Sequence, residues 1–527
     1  MATHSQSGTA LSYQPAHLQN VAEFLLFGKE PSQAAIVLPT ATHSYGELQS
    51  CVKKVASWVV QHSDPGARVV IAASNSFFWV AAYLGTMLAG RVAVPIAPEI
   101  SSKDLSHVLS ITEAQAGMLQ DTFAANHDSD SWGLPLLLQS EFNVSLIRGI
   151  SDIHADQPFP QSGGNDLAAL MFTSGSTGTP RGVMISHRNI IANTHSIVEY
   201  LNLTSNDRAM VVLPFHYCFG ASLLHTHLVV GGTLVFDNSF MYPELFLRRL
   251  FETNCTVFAG VPSHYQILLR RSGLRKHKFP ALRLVQQAGG HLAPALLQEL
   301  REALPDSQIC AMYGQTEATA RLSYLPPELL DSKAGSIGRA IPGVSLMVLN
   351  DEGDPVNPGE IGEIVAEGDN VACGYWREPE ETAKCFRGRR LFTGDLATID
   401  SEGFLYITGR TRDFVKCGSK RVSCRFIEDT LLGCEELVEV GVVGVEDDIL
   451  GEAVQAFVVP RDPDMPSIEE HVFSFCKKHL PLLLRPRHVV VLESLPKNSS
   501  GKVLKSVLKQ VAANANRDES LLRASRA

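Results

Sequence analysis

Residues 167–187 read LAALMFTSGSTGTPRGVMISH: a short apolar run, a turn of hydroxyl residues and glycines, then a helical pattern that begins near His187. Leu167–Phe172 has the length and composition of a buried strand. In the stretch Phe172–Gly182, Gly175 and Gly178 leave backbone N–H groups free to face an anion. The hydroxyls of Thr173, Ser174, Ser176 and Thr177 add donors, and Arg181 adds a fixed positive charge. These are the parts of a polyphosphate cradle at a strand–helix junction. The Gly-Lys-Ser/Thr ending of a Walker A loop is absent, so this is a different kind of phosphate turn. A flexible Gly/Ser connector is the bland reading, and the interleaved hydroxyls with Pro-Arg-Gly behind them weigh against it.

Outward from this stretch, short apolar runs alternate with helical patterns. Leu48, Val52, Val55 and Val59 form one helical stripe within Tyr45–His62. Val69–Ala73 and Val92–Ile96 read as strands around a helix at Phe77–Leu88. The alternation returns at Ala209–Leu213, Thr233–Phe236, Thr256–Ala259 and Leu282–Gln286, the last followed by a helix over Leu292–Leu304. Repeated βα units of this kind predict mostly parallel sheets covered by helices, an α/β body. Past about Thr408 the texture changes. A charged, small-residue run leads to a helix, strands at Val438–Val445, Ala453–Val459 and His488–Leu492, and a helix at Glu469–Leu480. The reading is a large unit over 1–408 and a small, mobile α+β unit over 409–527.

At 527 residues two or three packed units are expected. A 45% hydrophobic and 19% charged composition is that of a soluble globular chain. The net charge of -10 offers no general attraction to nucleic acid or an anionic membrane. The ten cysteines show no zinc-ligand spacing, and with no secretory pattern at the N-terminus reduced thiols in a cytoplasm are the expectation. The most apolar stretch, Phe77–Gly90, is shorter than the roughly 20 residues a bilayer span needs. It reads as a buried helix, with no integral membrane association.

With FTSGSTGTPRG as its first element, the chain resembles the adenylate-forming superfamily of acyl- and aryl-CoA ligases, adenylation domains and luciferases. Similar motifs follow in the family's order over about residues 45–505: PFHYCFG (214–220), AGG (288–290), YGQTE (313–317), TGDLA (393–397), GRTRDFVKCG (409–418) and PKNSSGK (496–502). The resemblance implies an ATP site made by Thr173–Gly178, Arg181, Gly289, Tyr313, Gly314, Gln315, Thr316, Asp395, Arg410 and Lys502. In it Tyr313 stacks on adenine, Thr316 touches the α-phosphate region, Glu317 holds Mg²⁺, and Asp395 takes the ribose hydroxyls. Those roles agree with the chemistry of an aromatic face and of hard, two-oxygen acceptors. Arg410 contacts the nucleotide, Arg412 is the hinge, and Lys502 bridges the reacting carboxylate and phosphate.

His216, Tyr217, Val261, Gly290 and His291 are the implied acid-binding residues, with His216 at the entrance. No acid follows His216 until Asp237, which disfavours an α-amino acid because an unpaired ammonium there would cost several kcal/mol. Ser419 stands where most relatives carry glycine. The implied activity joins a small carboxylic acid to AMP and then to a thiol. That thiol belongs to coenzyme A or to the phosphopantetheine of a freestanding acyl or peptidyl carrier protein.

Overall fold

A computed structural model describes residues 19–147, 159–174, 179–237, 239–410, 414–417, 420–447, 451–497, 501 and 503–524. Two twisted sheets form the body. In the nine-stranded sheet, six neighbouring strands are parallel: Gln308–Tyr313, Leu284–Gln287, Val257–Gly260, Arg208–Val211, Thr233–Phe236 and Ala34–Val37. Antiparallel strands close both edges. The six-stranded sheet is parallel from Leu136–Leu138 through Leu167–Ser174 and then turns back antiparallel along Pro180–Ser186.

The helix Phe77–Leu88 is buried along its whole length, which is why its sequence shows no polar face. It packs in one core with the helices Tyr45–His62 and Cys218–Val230, between the two sheets. Among the described residues no helix is long and apolar enough to cross a membrane. The strand and helix boundaries read from apolar runs agree with the structure to within two residues at most ends.

Two features differ from that reading. Pro180–Ser186, taken as part of the phosphate turn and the approach to the helix, is a strand hydrogen-bonded to Leu167–Ser174. Residues 344–410 form a third, antiparallel sheet of five strands: Val344–Leu349, Gly362–Gly368, Arg390–Ile399, Phe386–Arg387 and Leu405–Arg410. Its last strand pairs Arg410 with Asp395. The small unit's own sheet begins at Phe414–Cys417 and also holds Lys420–Ser423, Leu437–Asp447, Gly451–Pro460 and His488–Val491. The helices Cys424–Leu432 and Ile468–His479 cover one face, and Lys505–Ala524 packs on Leu437–Asp447.

Candidate active site

Open parallel sheets bind ligands beyond the carboxyl ends of their strands, and four neighbouring strands deliver the motifs there. Arg208–Val211 leads to Pro214–Phe219, Val257–Gly260 to Val261, Leu284–Gln287 to Ala288–His291, and Gln308–Tyr313 to Gly314–Glu317. Stretches far apart in sequence therefore meet along one edge.

Backbone shape in this edge is set by two glycines. Gly289 has φ +80, and a Cβ there would press on Val261 Cγ1 at 2.8 Å. At Gly314 a Cβ would run into the carbonyl of Ala320. Gln287 Nε2 donates to the Gly290 carbonyl at 2.8 Å, which holds the turn closed. Val261 and Phe219 both lie against Gly289, forming an apolar wall beside it.

Tyr313 Oη donates to Asp395 Oδ2 at 2.6 Å. The implied adenine-stacking and ribose-binding residues are thus joined, and Asp395 is 3% exposed. Tyr375 Oη donates to Glu317 Oε1 at 2.8 Å, and Thr316 Oγ1 donates to Cys218 Sγ at 3.4 Å. That second bond ties YGQTE to the start of the helix Cys218–Val230. Tyr375 was not singled out from the sequence, because nothing in its local pattern distinguishes it; only the fold brings it to Glu317.

His216 is buried and its imidazole is pushed down to about 4 by burial, so it is neutral at physiological pH. Its Nε2 is a buried polar atom without a hydrogen-bond partner, as is Gln315 Nε2. Both belong to motifs at this edge. A buried polar atom left unpaired costs free energy, so these two fit a site that is completed by a polar ligand. The glycine turn, the Tyr313–Asp395 pair and the Glu317 carboxylate fit a nucleotide, with Glu317 the residue that would hold Mg²⁺.

Three residues named from the sequence have protein partners in the structure. Arg181, expected as a positive charge for the phosphates, is 3.0 Å from Glu378 and 2.8 Å from Glu381 and stacks near Tyr375. Its charge is already balanced by the helix Pro379–Cys385 and its leading residue. His291, expected at the acid, has both ring nitrogens engaged by the small unit. Its Nε2 donates to Asp429 at 2.8 Å, and its Nδ1 accepts from Arg425 Nη2. Asp237, the nearest acid after His216, is held by Arg249 at 3.4 Å and by Ser239 at 2.7 Å.

Gly175, Ser176, Thr177, Gly178, Arg412, Ser419 and Lys502 lie outside the described residues. Gly501, next in the chain to Lys502, is described. Its carbonyl accepts from Ser263 Oγ at 3.2 Å, two residues after Val261. Gly501 is thereby held at the same strand-end edge.

The family model for the AMP-binding enzyme matches residues 27–376, and that for the AMP-binding enzyme C-terminal domain matches residues 427–502. An oxalate–CoA ligase of Saccharomyces cerevisiae is 28% identical, covering 94% of this chain and 97% of that protein. A medium-chain fatty-acid–CoA ligase of Escherichia coli is 28% identical, covering 89% of this chain and 86% of the other. ATP-bound MatB from Rhodopseudomonas palustris, 28% identical, superposes with a TM-score of 0.85 over 94% of this chain and 98% of that one. The apo form of MatB gives 0.75 over the same shares. On its motifs, its fold and these matches, the chain belongs to the AMP-binding enzyme family and is an AMP-forming ligase of the acyl-CoA synthetase type.

Proposed function

We propose that the chain binds a small carboxylic acid and ATP at the strand-end edge, joins them as an acyl-adenylate with loss of pyrophosphate, and passes the acyl group to coenzyme A. The observation that carries the reading is the convergence at one edge of the Tyr313–Asp395 pair, the Gly289 turn, neutral His216 and the anchored Gly501. Asp395 accepts the ribose hydroxyls and Tyr313 lies along the base. Neutral His216 orients the acid by a hydrogen bond without pairing its charge, so the carboxylate stays nucleophilic.

Lys502 and Arg410 face the charge that builds as the carboxylate oxygen attacks the α-phosphorus in line and pyrophosphate leaves. The Thr173–Gly178 turn holds the polyphosphate. Mg²⁺ at Glu317 would offset polyphosphate charge. The small unit then swings about Arg412 to admit the thiol, because a mixed anhydride left open to water would hydrolyse. The oxalate and medium-chain fatty-acid ligases reported above carry coenzyme A in their names, which favours it over a carrier protein. Asp237, the first acid after His216, is paired with Arg249, which disfavours an α-amino acid as the substrate.

The test is pyrophosphate–ATP exchange across a panel of acyl, aryl and hydroxy acids, with coenzyme A and a phosphopantetheinyl carrier offered separately. Exchange is expected with at least one acid, and Lys502→Ala should reduce it by about a hundredfold, in the range for one preorganised charge. A chain that never exchanges with any acid overturns the reading.

A further inference from the structure

The small unit carries a second constellation, outside these motifs and not marked by the spacing of the cysteines. Cys434 lies in the turn between the helix Cys424–Leu432 and the strand Leu437–Asp447, Glu436 two residues on, and His471 in the first turn of the helix Ile468–His479. Cys434 Sγ donates to Glu436 Oε2 at 3.1 Å, and His471 Nε2 is 3.4 Å from the same oxygen. The three candidate ligand atoms all lie within 4.8 Å of one another.

Zinc–ligand bonds of about 2.0–2.3 Å in a tetrahedron set ligand atoms roughly 3.3–3.6 Å apart. Two of the three edges are therefore close to the required length, and a rotamer adjustment of the half-exposed imidazole can set the third. The chemistry is also selective. A thiolate, a carboxylate and an imidazole form a mixed S, O, N set with two negative charges, which suits Zn²⁺ and not the all-oxygen preference of Mg²⁺ or Ca²⁺.

The backbone around these groups is held. Cys434 N–H donates to Leu431 at 3.0 Å, Leu437 N–H to Cys434 at 3.1 Å, and Arg461 N–H to the Glu436 carbonyl at 2.7 Å. Cys434 is 1% exposed, whereas the side chains of Glu436 and His471 are 40% and 41% exposed, so an ion could enter from the solvent side and meet the thiol at the base. Cys476 lies five residues beyond His471 on the same helix. It is buried and stands outside the group of three. Burial and the adjacent carboxylate push the Cys434 thiol up to about 12, so in the metal-free chain it is a protonated donor to Glu436.

We propose that Cys434, Glu436 and His471 form a zinc-class metal site that staples the 433–436 turn to the helix Ile468–His479 within the small unit. Binding exchanges the thiol proton for the ion: the S–H bond breaks, the proton leaves to solvent, and the sulfur–metal bond forms without change of oxidation state. The site does not depend on the ligase reading, since none of its residues lies at the strand-end edge.

The test uses the full chain, stripped with a chelator, dialysed and titrated with Zn²⁺ alone. One ion per chain is expected. His471→Ala and Cys434→Ser should each weaken binding by at least about a hundredfold, the upper end of what even an outer-shell change costs. Cys255→Ser, a buried thiol elsewhere, should bind as the parent does. Co²⁺ in place of zinc should show thiolate charge-transfer absorption that Cys434→Ser lacks. If Cys434→Ser does not fold, as judged by its circular dichroism, the solvent-facing His471→Ala decides. Binding that survives His471→Ala at full strength places the ion elsewhere and overturns the proposal. So does a stoichiometry below one, or a cobalt spectrum without a thiolate band.

Discussion

Asp395 and Tyr313 hold each other, and that bond separates two roles that a sequence motif leaves merged. The carboxylate is 3% exposed and accepts from the phenol at 2.6 Å, so Tyr313 fixes its direction. Asp395→Asn keeps the shape but removes the charged acceptor. Hydrogen bonds to a charged group contribute about 1.5–3 kcal/mol, so KM for ATP should rise about tenfold to a hundredfold. Tyr313→Phe keeps the ring and removes only the orienting bond, and should raise KM for ATP by less than about tenfold. Steady-state kinetics with ATP varied checks both. Equal damage from the two would remove Asp395 from the ribose. Gly314 answers to sterics alone: because a Cβ there meets the Ala320 carbonyl, Gly314→Ala should cost at least about 2 kcal/mol, seen as a lowered melting temperature.

At the scale of an element, the helix Cys218–Val230 is buried almost throughout and carries two histidines inside it. Burial pushes His225 down to about 3 and His227 to about 4, and His216 just before the helix to about 4. Tyr83 Oη lies 3.2 Å from His225 Nε2, a polar contact that suits a neutral ring. A histidine with a lowered native pKa leaves the unfolded chain holding more protons below its ordinary value near 6.5. Stability contributed by the neutral ring is therefore present above pH 6.5 and is lost as pH falls toward 4. Thermal melts between pH 7 and 4.5 should show a falling transition. His225→Gln, which retains a partner for Tyr83 and cannot titrate, should flatten part of the slope. A melting temperature that is level over this range, or an unchanged slope in the variant, contradicts the assignment.

The same scale shows why some elements were legible and others were not. Parallel strands such as Thr233–Phe236 are buried on both faces and write themselves as unbroken apolar runs. The antiparallel strands of 344–410 mix buried, half-buried and exposed positions, as in Val344–Leu349, and charged residues interrupt Gly362–Gly368 and Arg390–Ile399. The hairpin strand Pro180–Ser186 was hidden because the glycine-rich signal beside it reads as loop.

Across the whole molecule, PFHYCFG, AGG and YGQTE were legible because each lies at or just beyond the end of a parallel strand. The contacts between motifs had no such signal: Glu317 and Tyr375 are 58 residues apart, and His291 and Asp429 are 138 apart. The second contact crosses between the two units and joins the loop after Gly290 to the helix Cys424–Leu432. His291 donates from Nε2 to Asp429 and accepts at Nδ1 from Arg425, so it is the neutral tautomer. Burial above all, with Arg425 beside it, holds its pKa below the ordinary value against the pull of Asp429. Glu428 and Asp395 also act electrostatically on Arg425, so the cluster reaches from the small unit to Asp395.

On the proposed function the small unit swings for thiol transfer and has to break this contact, so removing it should shift the balance between the two orientations. His291→Ala is expected to slow pyrophosphate–ATP exchange by about tenfold, the size of one charge-assisted hydrogen bond. Transfer from preformed acyl-adenylate to coenzyme A should hold its rate or gain. Rapid-quench measurement of each half-reaction separates the outcomes. If both fall together, His291 acts on the acid itself, as its position after Gly290 first implied, and the contact between the units is incidental to the swing.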